Sequence, residues 1–212
     1  MILKPFLYLG VSLLFAGLNG QPEFSYKTYG NIANYFESET DFRSFFEFKK
    51  GDVVAEIGAG NCTNAQAFAL LTDSVTFYME DIDPGVLNRK HLKRALAKVK
   101  RHRASITSTF RLAPGNEKAT LLPGQAFDKV VLVATFHELY YMDDMLVDLH
   151  RILKPGGKLF ILESHCCNEK HKNYTAGEAK ALVQQHGFAL LKQDGKDLNG
   201  GKGVYRLIFA KQ

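Results

Sequence analysis

From Val53 onward the chain alternates short, almost wholly apolar runs with longer amphipathic ones, and this alternation restricts its fold more than any other feature. Residues 53–57, 75–79, 106–112, 129–134 and 158–162 read as strands, and 129–134 is uniformly apolar after its first residue, as strands buried on both faces are. Between them, 61–71, 83 to about 103, and 142–153 repeat apolar residues at helical spacing. Asp83-Pro84 supplies an N-cap followed by proline at a first helical position, so the second of these helices is expected to open there. A further helix is expected over 175–186, with Thr175 and Glu178 spaced as a capping box and Gly187 as its stop. Residues 188–192 and 204–210 close the pattern as two strands whose link, including 197–203, is too short for a helical crossover. The expected architecture is α/β: a doubly wound, mostly parallel seven-stranded sheet with one antiparallel strand from a C-terminal hairpin. Ligands bind such sheets where the strand order reverses, here after the first strand at Gly58–Gly60.

Residues 1–50 fall outside the alternation. Lys4, an apolar run from Phe6 to Leu18 and the polar exit Asn19-Gly20-Gln21 read as a secretory signal peptide over 1–20. The run is shorter than the roughly 20 apolar residues of a membrane-spanning helix. The rest of the chain is then expected to be exported, periplasmic or secreted; an uncleaved segment would leave it membrane-anchored or cytoplasmic. Residues 21–50 read as an N-terminal helical cap, with Phe42, Phe45 and Phe46 on one helical face and tyrosines over 26–35 placed either in the core or over a ligand. Residues 51–212 form the main domain. Cys62, Cys166 and Cys167 do not make a disulfide framework. Free thiols suit a reducing compartment, which is in tension with export.

The chemistry concentrates in Val53-Val54-Ala55-Glu56-Ile57-Gly58-Ala59-Gly60. Two glycines with one spacer after a buried strand allow a tight turn and close approach of backbone to a ligand. Glu56 at the strand end faces a cationic group better than a pyrophosphate, and Thr63 stands where a dinucleotide fingerprint has its third glycine. Both features count against a nicotinamide-dependent oxidoreductase.

Glu56-Ile57-Gly58-Ala59-Gly60 resembles the first motif of class I (Rossmann-like) S-adenosylmethionine-dependent methyltransferases, and further matches follow in order. Asp81-Ile82-Asp83-Pro84 resembles the acidic second motif. Gly115-Asn116, with Leu122-Pro123 and Phe127-Asp128, resembles the third motif and the approach to the fourth strand. Phe136-His137-Glu138-Leu139 stands where small-molecule members carry a Phe-His-His-Leu type sequence, and Leu153-Lys154-Pro155-Gly156-Gly157 resembles the turn before the fifth strand. The resemblance implies S-adenosyl-L-methionine as methyl donor and a small-molecule or lipid-like acceptor. It implies that Glu56, Gly58, Ala59 and Gly60 hold the methionine part, and that Asp81 takes the ribose hydroxyls. Asn116 is implied at the adenine amino group, with Ile82, Glu117 and Thr135 also at the cofactor. His137 is the candidate catalytic base, with orientation of its loop by hydrogen bonds as the other reading. A protein that binds the cofactor without turnover is the alternative function.

The chain departs from the family at Asn116, where Asp is usual, and at Asn61-Cys62, which replace a third small residue; Cys62 reads as a packed thiol. The formal net charge is +5, and 84–103 carries Arg89, Lys90, Lys93, Arg94, Lys98, Lys100, Arg101 and Arg103 with no acid. That basic helix is either a solvated face or a contact for an anionic surface. No recognisable nucleic-acid module accompanies it. His165, Cys166, Cys167 and His171 lack metal-ligand spacing, and no metal is expected.

Overall fold

A computed structural model describes residues 24–164, 174–196 and 203–212. The leader expected over 1–20, and the cluster of His165, Cys166, Cys167 and His171, lie outside them. Seven strands form one sheet: β1 (Val53–Ile57), β2 (Thr76–Asp81), β3 (Thr109–Pro114), β4 (Phe127–Val133), β5 (Leu153–Ser164), β6 (Phe188–Lys196) and β7 (Val204–Lys211). Their order is β3-β2-β1-β4-β5-β7-β6. The first five run parallel, and β7 is antiparallel to both of its neighbours. This is the doubly wound sheet with a C-terminal hairpin that the alternation predicts.

Because successive side chains on a strand point to opposite faces, each central strand feeds two cores. Val54, Phe77, Met79, Val131 and Phe160 face a layer made by α1 (Tyr26–Tyr29), α2 (Glu39–Phe46), α3 (Ala65–Leu71) and α4 (Arg89–Val99). Ala55, Ile57, Val130, Leu132 and Ile161 face α5 (Met142–Ile152) and α6 (Ala176–Gln185). The capping box expected at Thr175 and Glu178 is present on α6. Among the described residues no helix is long and apolar enough to cross a membrane.

The cap is an aromatic block. Ser38 caps α2 by accepting from the Asp41 N–H, and the helix buries Phe42, Phe45 and Phe46 together. Phe46 stacks on Phe48 at 4.9 Å, and Phe68 of α3 stacks on Phe77 of β2 at 4.5 Å, so rings run from the cap into the sheet. Arg206 of β7 fastens this block at the other end. Its guanidinium donates to the Tyr35 carbonyl and to Asp41 and Asp194, and it lies 4.9 Å from the Phe36 and Phe45 ring centres. Tyr29 and Tyr35 are core, whereas Tyr26 is exposed.

Three expectations of detail are corrected. The helix after β2 opens at Arg89, not at Pro84, because Asp83 Oδ1 accepts the Gly85 N–H at 2.7 Å and closes a turn instead. Gly85 is a weak helix former, and Asn88 provides the cap by accepting the His91 N–H. Arg103 is not part of a solvated basic face. Its Nη1 donates to the carbonyls of Ala69, Leu70 and Thr72, satisfying the exposed C-terminal end of α3. β5 begins at Leu153, where it pairs with Phe127 before a register shift, five residues earlier than its apolar run suggests.

Phe46 is wholly buried and meets the rings of Phe36, Phe42, Phe45, Phe68 and Phe160 as well as Phe48. Phe46→Ala is expected to lower the unfolding free energy by about 3–5 kcal/mol, read as a fall in urea midpoint at unchanged slope.

Candidate active site

The sheet reverses its winding between β1 and β4, and a cleft of about 310 Å³ opens at the carboxyl ends of β1, β2 and β4. Gly58, Glu80, Asp81, Ile82, Thr135 and Glu138 line it, with Leu139, Tyr140 and Met145 as its apolar wall. Gly58 turns the chain with φ of 69°, and a Cβ there would overlap the Thr135 side chain. The glycine is therefore required twice, by its backbone angle and by the neighbour across the strand gap.

Asp81 ends β2 facing this turn. Its Oδ2 accepts the Gly60 N–H at 2.8 Å and its Oδ1 accepts the Asp83 N–H at 2.9 Å. Two backbone donors hold the carboxylate in place, and each oxygen keeps a further lone pair for a ligand hydroxyl.

Glu56 sits wholly buried near the turn. Its Oε1 accepts from Asn64 Nδ2 at 2.6 Å, and its Oε2 is buried with no hydrogen-bond partner. Burial pushes its carboxyl up to about 8, against the Asn64 bond and with help from the Asp81 charge. Glu80, not anticipated from sequence, repeats the situation in the cleft wall. It is 1% exposed, its Oε1 has no partner, and burial followed by the Asp81 charge pushes it up to about 8. A signal was present: Glu80 precedes Asp81-Ile82-Asp83, an acid inside an otherwise apolar strand end.

Ala59 is buried, and its N–H donates to the Glu80 carbonyl. Cys62 is buried in the core, its thiol pushed up to about 12 by burial, so it packs rather than reacts. Ile82 lines the cleft and Thr135 closes it behind Gly58. Asn116 and Glu117 stand apart, exposed on a turn after β3. The Asn116 carbonyl oxygen, expected at the adenine amino group, instead accepts the Lys118 and Ala119 N–H groups, both at 2.9 Å. Its two lone pairs close an Asx turn. That loop is anchored from α5: Asp148 accepts from the Thr120 N–H and hydroxyl, and Arg151 bonds both Asp148 and the Leu122 carbonyl.

His137 lies in a 3-10 turn, Phe136–Glu138. Glu163, buried near the end of β5, accepts from its backbone N–H and stands 2.9 Å from Nδ1, while Glu138 stands 3.2 Å from Nε2. The bond to Glu163 holds the imidazole above its ordinary range. Glu138 and Leu139 line the cleft; His137 stands behind them. Glu163 is a second residue that sequence reading misses, since it comes 26 positions later on another strand.

The Methyltransferase domain family model matches residues 55–159, the stretch that contains every residue lining the cleft. The chain belongs to the class I S-adenosylmethionine-dependent methyltransferases. A search of the curated proteins by sequence finds no match. Among solved structures, a SAM-dependent methyltransferase from Aquifex aeolicus superposes with a TM-score of 0.63 at 19% identity, over 85% of this chain and 93% of that one. A SAM-dependent methyltransferase from Methanosarcina mazei follows at 0.58 and 15%, over 80% and 96%. The [4+2]-cyclase SpnF gives 0.60 and 15%, over 82% and 80%, so this fold by itself does not settle the chemistry.

The family implies S-adenosylmethionine as methyl donor, and the methyltransferase site has groups to suit it. Asp81 offers a charged acceptor to a diol, and the orphaned Oε2 of Glu56 and Oε1 of Glu80 are buried acceptors that the protein itself leaves unmet.

A carboxyl raised by folding keeps its proton in the native state at pH values where the unfolded chain has lost it. Such a group makes stability fall as pH rises from its ordinary value toward 8. Glu56→Gln is expected to flatten that decline, gaining at least about 1 kcal/mol on the parent between pH 5 and pH 8. Urea unfolding at the two pH values measures it, and parallel stability curves would contradict it.

Proposed function

We propose that this methyltransferase acts on a small-molecule or lipid-like acceptor. The observation that carries the reading is the cleft mouth, where Ile82 is 49% and Tyr140 is 82% exposed beside a wall of Leu139 and Met145. Exposed apolar side chains that rim a cavity are the ordinary mark of a surface awaiting an apolar ligand.

When bound, the donor supplies an electrophilic methyl group on a sulfonium centre. Asp81 binds the ribose diol through the lone pairs left after its bonds to Gly60 and Asp83. The buried acid Glu56 opposes the cationic end of the methionine part, and contact with a cation draws it toward its charged form. Gly58 and Thr135 shape the wall and exclude water. Their task is alignment, which supplies much of the rate in a transfer between two bound partners.

His137 acts as a positioning residue. Its bonds to Glu163 tie the turn after β4 to the end of β5, so Glu138 and Leu139 are presented to the cleft in one arrangement. An imidazole already bonded at both nitrogens and raised toward its cationic form is a poor acceptor for the proton that leaves with methylation. Glu138, half exposed and facing the cleft, is better placed to receive it or to attract a cationic acceptor.

Two measurements test the reading. Asp81→Ala is expected to weaken S-adenosylhomocysteine binding by at least about tenfold in calorimetric titration. Transfer of labelled methyl from S-adenosylmethionine is expected to small amphiphilic acceptors, with Tyr140→Ser raising KM several-fold at little cost in kcat. Transfer confined to protein or nucleic acid would overturn the acceptor class.

A further inference from the structure

The least explained group in the molecule is Glu80. A carboxyl that is 1% exposed, with one oxygen unpartnered, is costly unless a ligand completes it. It lies in the cleft wall beside Asp81, and any role for it at the cofactor rests on Asp81 binding the ribose as proposed. The loop after β3 closes directly over it: a Cβ on Gly115 would overlap Glu80 Oε1. The cleft that Glu80 lines also holds Ile82, Leu139 and Met145, apolar side chains against which a heteroaromatic ring can pack.

Adenine presents an amino donor beside a ring-nitrogen acceptor. A neutral carboxylic acid presents a carbonyl acceptor beside an O–H donor and matches that edge with two hydrogen bonds; a carboxylate has acceptors only. The usual family position for adenine recognition is withdrawn here, since the Asn116 oxygen is taken up by Lys118 and Ala119. We propose that Glu80, as a neutral acid, recognises the adenine edge of the cofactor, accepting from the amino group and donating to the ring nitrogen beside it.

The electrostatics agree. The charges that act on Glu80 are Asp81 on its own strand and Asp148 on α5, both of which favour the protonated form, with the Gly58 N–H opposing them. The carboxyl is held up to about 8, mainly by burial, so it is protonated at neutral pH in the cleft. Loss of its proton replaces the donor with a second acceptor facing the ring nitrogen. Affinity for the adenosyl group therefore falls as pH rises through that range.

Calorimetric titration of the full chain with S-adenosylhomocysteine from pH 6.5 to 9.5 tests this, using the parent, Glu80→Gln, Glu80→Leu and Glu56→Gln. The parent is expected to lose roughly tenfold in affinity across the range, as the hydrogen bond to the ring nitrogen gives way to a repulsive contact. Glu80→Gln is expected to bind within a few-fold of the parent at pH 7 and to lose this decline, because an amide also offers adenine an acceptor beside a donor. Glu56 titrates in the same range, and Glu56→Gln must keep the decline if Glu80 is its source. Glu80→Leu is expected to bind about 10- to 100-fold more weakly at every pH. The analogue of S-adenosylhomocysteine whose base lacks the 6-amino group, and so leaves the acceptor oxygen of the acid unmet, is expected to bind the parent at least about tenfold more weakly.

Identical pH profiles for the parent and Glu80→Gln, or equal affinity for the deamino analogue, would overturn the assignment. If the leucine variant fails to fold, the glutamine profile and the deamino comparison still decide the matter. Folded parent protein that binds S-adenosylhomocysteine at no pH would instead remove the cofactor reading, and the Glu80 assignment with it.

Discussion

One side-chain amide joins the three parts of the molecule on which the site depends. Asn64 donates from Nδ2 to the buried Glu56 of β1 and accepts at Oδ1 from the Ile32 N–H of the cap. It stands just after the glycine turn, so strand, turn and cap are held through one residue. Both of its bonds are buried, where an unmade hydrogen bond costs far more than a made one gains. The cap is thereby fixed in relation to the turn, and Gly30, which approaches the Thr63 carbonyl too closely to allow a Cβ, closes the same junction.

From that junction the cleft acquires an uneven electrostatic character. Three acids meet near the end of β1 and β2, and they are not equivalent. Asp81 reaches two backbone N–H groups and some solvent, whereas Glu56 and Glu80 are buried, each with one oxygen left without a partner. Burial thus holds two of the three carboxyls well above their ordinary range. Environments that push neighbouring carboxyls apart are commonly found at functional sites, since a ligand can then meet both charge and neutral donor in a small volume.

The loops after β3 and β4 are pinned by α5 and β5. Asp148 and Arg151 of α5 hold 120–122 after β3, and Glu163 of β5 holds the turn containing His137 after β4. These contacts lie behind the cleft and shape it without lining it. A site assembled from loops remains precise only where such supports fix their geometry.

The sequence by itself determined the layers of this protein. Runs such as 130–134 are uniformly apolar because a parallel strand covered on both faces has no wet side, and the spacing of Leu146, Leu149 and Ile152 needs no partner to be read as a helix face. It also marked the glycine turn and Asp81, which the fold brings together at the crevice where the strand order reverses. Tertiary structure alone decided the rest. Glu163 reaches His137 from 26 residues away, and Arg103 caps a helix that ends some thirty residues before it. Asn116 resembles an adenine contact until its oxygen is seen to close its own turn. Glu80 looks like one acid among several until the sheet buries it. Periodicity is a local property that composition along the chain preserves. Hydrogen-bond partners and the desolvation of a charge depend on what the folded chain brings close, and no short stretch of sequence contains that.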